Sequence, residues 1–269
     1  MDASSGRDTG HLMLITPDRV FYAGLLGRPR RRCSGACYIY VALAGSLRLT
    51  SEGGEMREGE LLVAAPNHQH TVESDYRTVI AVLIEPESVP AGTLDRLTIQ
   101  LSKDTAGAVH RIRAAYDALR EQPLRGDVDS ASFDRLCFGE ALPRRALDPR
   151  VVKAIALINR FSGEAATAES CAVAVGLSTS RFLHLFKDET DISFRSFRAW
   201  KRARYLLNFA NQDVNLAHLA QDIGYPDSTH FSHSIRRFYG LKPRAIFSGS
   251  RDLAIYRSGE TQPDLAIAR

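Results

Sequence analysis

Two short runs near the end of this chain carry the side chains best suited to recognition chemistry. Thr179, Ser180, Leu183 and His184 share one face of any helix that holds them, and so do Ser228, Thr229, Ser232 and His233. Hydroxyl and imidazole groups exchange hydrogen bonds with the edges of base pairs, while a leucine touches only a thymine methyl. Around them stand Arg181, Lys187, Arg198, Lys201, Arg236, Arg237 and Lys242. Such cations neutralise phosphates, which supplies affinity and salt dependence but little sequence information. Catalysis is not indicated, because no Ser/His/Asp constellation, framed pair of acids or phosphate loop is present. The expected partner is double-stranded DNA.

The elements that must position these groups are written twice. Residues 168–175 read as a short apolar helix ending at Gly176, and residues 216–223 repeat the pattern before Gly224. Ala172 maps on Ala220 at the offset that maps Gly176 on Gly224; Phe182 then maps on Phe231 and Phe186 on Ile235 with one residue inserted. A short helix, a glycine turn and an amphipathic helix make a helix-turn-helix unit. Two of them on one chain suit two successive major-groove segments. Ser178 and Asp227 stand where a side-chain oxygen caps each second helix. Gly240 fits the left-handed stop of the last one, with Pro243 just beyond.

Between the units, residues 194–210 read as one helix with an apolar stripe of Phe197, Trp200, Ala203, Leu206 and Leu207. At ~1.5 Å per residue it spans about 26 Å. With the bulk of the flanking units this suits half-elements one DNA turn, ~34 Å, apart. Trp200 is expected in the core. The charge is distributed accordingly: the chain carries +4, while residues 150–244 hold 14 Lys/Arg against 8 Asp/Glu, so the excess lies in the repeat.

The first half has a different period. Residues 37–43, 45–50, 60–64 and 78–84 are branched and aromatic and are punctuated by turns, the pattern of a small barrel or sandwich over residues 11–92. Over residues 93–120 the period becomes helical, with Val109, Ile112, Ala115, Tyr116 and Leu119 on one face. That helix is expected to stop at Gln122-Pro123 and the loop Arg125-Gly126-Asp127, with a second helix at residues 130–138. The segment 93–138 either forms a dimer seam or covers the barrel's open face. Residues 139–149 read as a linker, and 150–161 as a helix with Val151, Ile155 and Ile158 on one side. Residues 1–10 are expected as a disordered arm and 249–269 as a tail.

Three features are weighed and set lower. His68 and His70 alternate as strand residues do, but the rest of a metal-ligand set is missing, so a structural or pocket-rim role is expected and no cofactor. Arg28, Arg30, Arg31 and Arg32 form a basic knot that reads as a solvated loop, an acidic-effector contact or a phosphate contact. Cys33, Cys37, Cys137 and Cys171 read as reduced thiols. No run reaches membrane length and no apolar leader is visible, so a cytoplasmic location is expected.

The repeat resembles the AraC/XylS family of bacterial transcription regulators over roughly residues 150–248. Ala220, Gly224-Tyr225, Phe231 and Gly240-Leu241-Lys242-Pro243 carry the family's signature. Ala172, Gly176-Leu177-Ser178, Phe182 and Phe186-Lys187 carry it in the first unit. Departures are Ala199 where an arginine is common, Ile235 for an aromatic, Asp191 for a glycine, and Phe247-Ser248 where an arginine follows. The resemblance implies a multidomain α+β chain: an N-terminal cupin-like β-barrel with following helices, then an all-α domain of two helix-turn-helix units joined by a linker helix. It implies a sequence-specific transcription regulator, an activator, whose barrel senses a small-molecule effector or mediates a homodimer, with RNA polymerase as a further partner. A metal-dependent cupin enzyme fused to a helical module and a ligand-independent dimeric DNA-binding protein stand as alternatives.

Overall fold

The computed structural model describes residues 10–121, 128–161, 166–247 and 252–258. The arm before residue 10, the stop at Gln122-Pro123, the loop Arg125-Gly126-Asp127 and most of the C-terminal tail lie outside the described residues. Eight strands come first: β1 (Leu12–Ile15), β2 (Arg19–Leu25), β3 (Cys37–Ala42), β4 (Leu47–Ser51), β5 (Met56–Gly59), β6 (Leu61–Ala64), β7 (His70–Ser74) and β8 (Thr78–Ile84). They do not close into a barrel. Among the described residues one sheet runs β6-β3-β8-β2-β1 and a separate one β5-β4-β7, with antiparallel neighbours throughout.

Three helices follow: α1 (Thr93–Lys103), α2 (Thr105–Glu121) and α3 (Ser130–Phe138). The single helix expected from residue 93 is broken at Asp104, whose carboxylate accepts from the Gly107 N–H (3.0 Å) and so starts a second helix as its cap. The C-terminal half holds α4 (Pro149–Ile158), α5 (Ala168–Ala174), α6 (Thr179–Thr190), α7 (Phe194–Tyr205), α8 (Leu216–Asp222), α9 (Ser228–Tyr239) and α10 (Pro243–Phe247). The expected 17-residue connector is therefore shorter. After Tyr205 the chain tightens into a 3-10 turn at Leu206–Phe209, where every residue is buried. The tail holds an unexpected element: β9 (Ala254–Arg257) pairs in parallel with β1 and becomes the sixth strand of the larger sheet.

Successive residues of β3 point to opposite sides, and all six are buried. Covering both faces explains why its sequence is a continuous apolar run without polar alternation. Cys37, Ile39 and Val41 join Leu97, Ile112, Leu119 and Phe133, so α1–α3 cover that face of the sheet. Tyr38, Tyr40 and Ala42 join the smaller sheet together with Trp200, Leu206, Phe231, Ile235 and Phe238. The second helix-turn-helix unit thus shares its core with the β-domain. The first has its own, in which Phe182, Phe186, Phe194 and Phe197 meet edge to face or tilted, with centroids 5.1–5.7 Å apart.

Candidate nucleic-acid interface

The two units close with the same backbone bonds. Leu177 N–H donates to Ala172 O at 3.0 Å, and Tyr225 N–H to Ala220 O at 2.9 Å, around Gly176 (φ 69°) and Gly224 (φ 81°). A side chain at such φ is penalised, so glycine stands at both turns. The Ser178 hydroxyl then accepts from the Arg181 N–H at 3.4 Å to start α6. The Asp227 carboxylate accepts from the N–H groups of Thr229 and His230, both at 2.8 Å, to start α9. At the end of α6, Asp191 takes the left-handed conformation (φ 60°) that glycine usually supplies, and its carboxylate pairs with Arg145 at 3.3 Å.

Caps and turns fix which side chains look outward. Ser180, Leu183 and His184 are exposed and Thr179 is half-buried; Ser228, Thr229 and His233 are exposed and Ser232 is half-buried. Inward, Phe182, Phe186, Phe231 and Ile235 are buried. Each helix therefore offers a polar first turn over an apolar base. Of the expected phosphate contacts, Arg181, Lys187, Arg236, Arg237 and Lys242 are exposed. Arg198 is half-buried and donates to Ala166 O at 2.5 Å.

Lys201 does not belong to this surface. It is 5% exposed and forms ion pairs with Glu85 and, at 2.6 Å, with Glu87. One turn on, Arg204 meets Glu85 at 2.6 Å and donates to the carbonyls of Thr16 and Arg19, the latter at 3.0 Å. Arg19 in turn forks onto Asp134 at 2.8 and 3.2 Å. The cluster ties α7 to β2, the end of β8 and α3. Burial holds Lys201 well below the ordinary lysine range and pushes Glu87 up to about 7. Lys201 reads as an exposed cation beside Arg198 and Arg202, yet the apolar positions at i−4 and i−1, Phe197 and Trp200, mark the buried side of the helix. Arg195, His230 and Arg244 are exposed as well.

Among the described residues the histidine pair gathers no further metal ligand. His68 Nδ1 meets Pro66 O at 2.9 Å, ahead of the strand, while buried His70 engages His68 O and the Tyr40 hydroxyl, each at 3.0 Å. Burial lowers the His70 imidazole to about 4. A cavity of about 300 Å³ lies between the large sheet and the second unit, lined by Tyr22, Tyr38, Tyr40, Leu207, Tyr239 and Ile246 among others. Arg32 also lines it, buried, with Nε and one terminal nitrogen lacking a hydrogen-bond partner.

Residues 171–248 match the family model described as a helix-turn-helix domain, in its AraC-type form. Residues 171–248 are a helix-turn-helix domain of the AraC type. No curated protein matches the chain. Among solved structures, an apo variant of ToxT from Vibrio cholerae strain SCE256 is similar over 86% of this chain and 97% of that one, at 10% identity and TM-score 0.52. ToxT from Vibrio cholerae O395 is similar over 85% and 98%, at 9% identity and TM-score 0.50. The C-terminal domain of AraT, a response regulator from Geobacillus stearothermophilus, is 23% identical over 39% of this chain and 88% of that one, with TM-score 0.37. The likeness to ToxT shows a shared fold: a sheet-rich domain followed by a helical domain.

Proposed function

We propose that the chain is a sequence-specific transcription regulator whose two heads read successive major-groove segments of one duplex. One observation carries this reading. The first turns of α6 and α9 are exposed and polar in both units, even though the second unit is docked on the β-domain. Thr179, Ser180, Leu183 and His184 face bases from one head, and Ser228, Thr229, Ser232 and His233 from the other. Arg181, Lys187, Arg236, Arg237 and Lys242 hold the backbone. Selection of genomic DNA by the purified full-length protein should return a bipartite motif, and His184→Ala with His233→Ala should relax one position in each half. Recovery of a single short element, or of an unchanged motif with the variant, would reject two-headed reading.

Effector sensing is assigned to the cavity at Arg32. An apolar wall with one buried guanidinium suits a small anion with an apolar body, such as a medium-chain or aromatic carboxylate. Because Leu207, Tyr239 and Ile246 come from the AraC-type domain, such a ligand binds both domains at once and favours their docked arrangement. Decanoate or benzoate should raise the melting temperature of the protein and leave Arg32→Met unmoved. No shift with either acid would favour the ligand-independent alternative. Activation through RNA polymerase and homodimerisation belong to the same proposal; transcription in vitro and sedimentation test them.

A further inference from the structure

The basic loop of the β-domain is latched onto the C-terminal end of α9. The Cys33 N–H donates to Arg237 O at 2.7 Å. Gly240, at φ 68°, packs closely on the loop: a Cβ there would stand 3.1 Å from Arg30 O and 3.4 Å from Arg31 O. A Cβ on Gly27 would likewise stand 3.0 Å from Leu241. The loop's last arginine is pinned on the β-domain, where Arg32 and His70 exchange two backbone bonds of 2.9 and 3.0 Å. The loop is therefore held in place by both domains. Arg32 points inward, but Arg28, Arg30 and Arg31 are exposed beside exposed Arg236, Arg237, Lys242 and Arg244. Among the described residues none of these seven cations has an ion-pair partner. A cation or two suits the negative end of a helix, but seven exceed what that partial charge neutralises.

Three of these cations continue the reading face. Arg236, Lys242 and Arg244 line one polar groove with Ser228 and Ser232 of α9. A 12-residue helix is ~18 Å long, so its far end approaches the phosphates flanking the groove that its first turn enters. We propose that Arg28, Arg30 and Arg31 complete the phosphate-contacting surface of the second head, so that the β-domain itself touches DNA. This rests on the DNA-reading proposal above and adds a surface outside the AraC-type domain.

The test is the salt dependence of affinity for a duplex carrying the selected motif, measured with the full-length protein. Each lost phosphate contact makes the slope of log K against log salt shallower by ~0.9, so Arg28→Ala/Arg30→Ala/Arg31→Ala should flatten it by about 1–3 with the motif unchanged. The corresponding triple lysine variant should keep the slope. A control that removes equal charge on the opposite helices, Arg96→Ala/Lys103→Ala/Arg135→Ala, should also leave it unmoved, as should the melting temperature of every variant. A wild-type slope in the alanine variant overturns the proposal and leaves two-headed reading intact. An equal flattening in the control overturns it as well, by showing a net-charge effect. Wild-type protein that binds no duplex removes both.

Discussion

His70 and His184 are the same residue type with opposite fates. His184 stands exposed on the outer face of α6, while His70 is 4% exposed and bonded to Tyr40. An imidazole held near 4 in the fold and near its ordinary 6.5 in the unfolded chain is neutral in the native state. Its contribution is complete above 6.5 and is lost as pH falls toward 4, because only the unfolded chain takes up the proton in that window. The full shift is worth about 3 kcal/mol at 1.36 kcal/mol per unit. Urea denaturation at several pH values should show stability falling through this window, and His70→Gln should flatten the fall. Parallel curves for the two proteins would mean that other groups carry it.

At the scale of elements, α7 is the piece on which both domains depend. Its apolar side carries Trp200 against Gly35, where a Cβ would stand 2.6 Å from the indole. Gly35→Ala forces the ring or the loop to shift and should cost about 1–3 kcal/mol, as overpacking does. Its polar side carries Lys201 and Arg204, which share Glu85 between them. Glu85→Gln leaves two buried cations short of their anion and should cost about 3–5 kcal/mol in urea denaturation. A loss under 1 kcal/mol would show that Glu87 alone compensates both.

For the whole molecule, the decisive fact is that one core runs from the β-sheets through the second head, while the first head keeps a core of its own. β9 adds a second tie by bringing the end of the described chain back to the edge of β1. Trp200, the only tryptophan, lies at this junction and meets Phe238 at 5.4 Å. Its emission therefore reports docking of the second head. Heating should shift that emission in the same transition that removes strand circular dichroism, as a shared core requires. A red shift at lower temperature, with strand signal intact, would show the head leaving the β-domain as a separate step.

The sequence alone shows the two helix-turn-helix units, because their order is local: caps at Ser178 and Asp227, glycines at 176 and 224, and a helical period that sorts Phe182 and Phe231 inward from His184 and His233 outward. It also marked β3, β4, β6 and β8 as strand. β1, β2, β5 and β7 escaped it; of these, β5 and β7 are short and half-polar and are ordered by their partner β4. Long-range packing decided that the sheets stay open, that α1–α3 cover one face and the second head the other, and that the tail supplies a strand. It also decided the role of Lys201 and the place of the Arg28–Arg32 loop. Those outcomes depend on which surfaces meet across more than a hundred residues. A buried lysine beside Glu85 and an exposed one are alike in local spacing, and only the distant partner separates them.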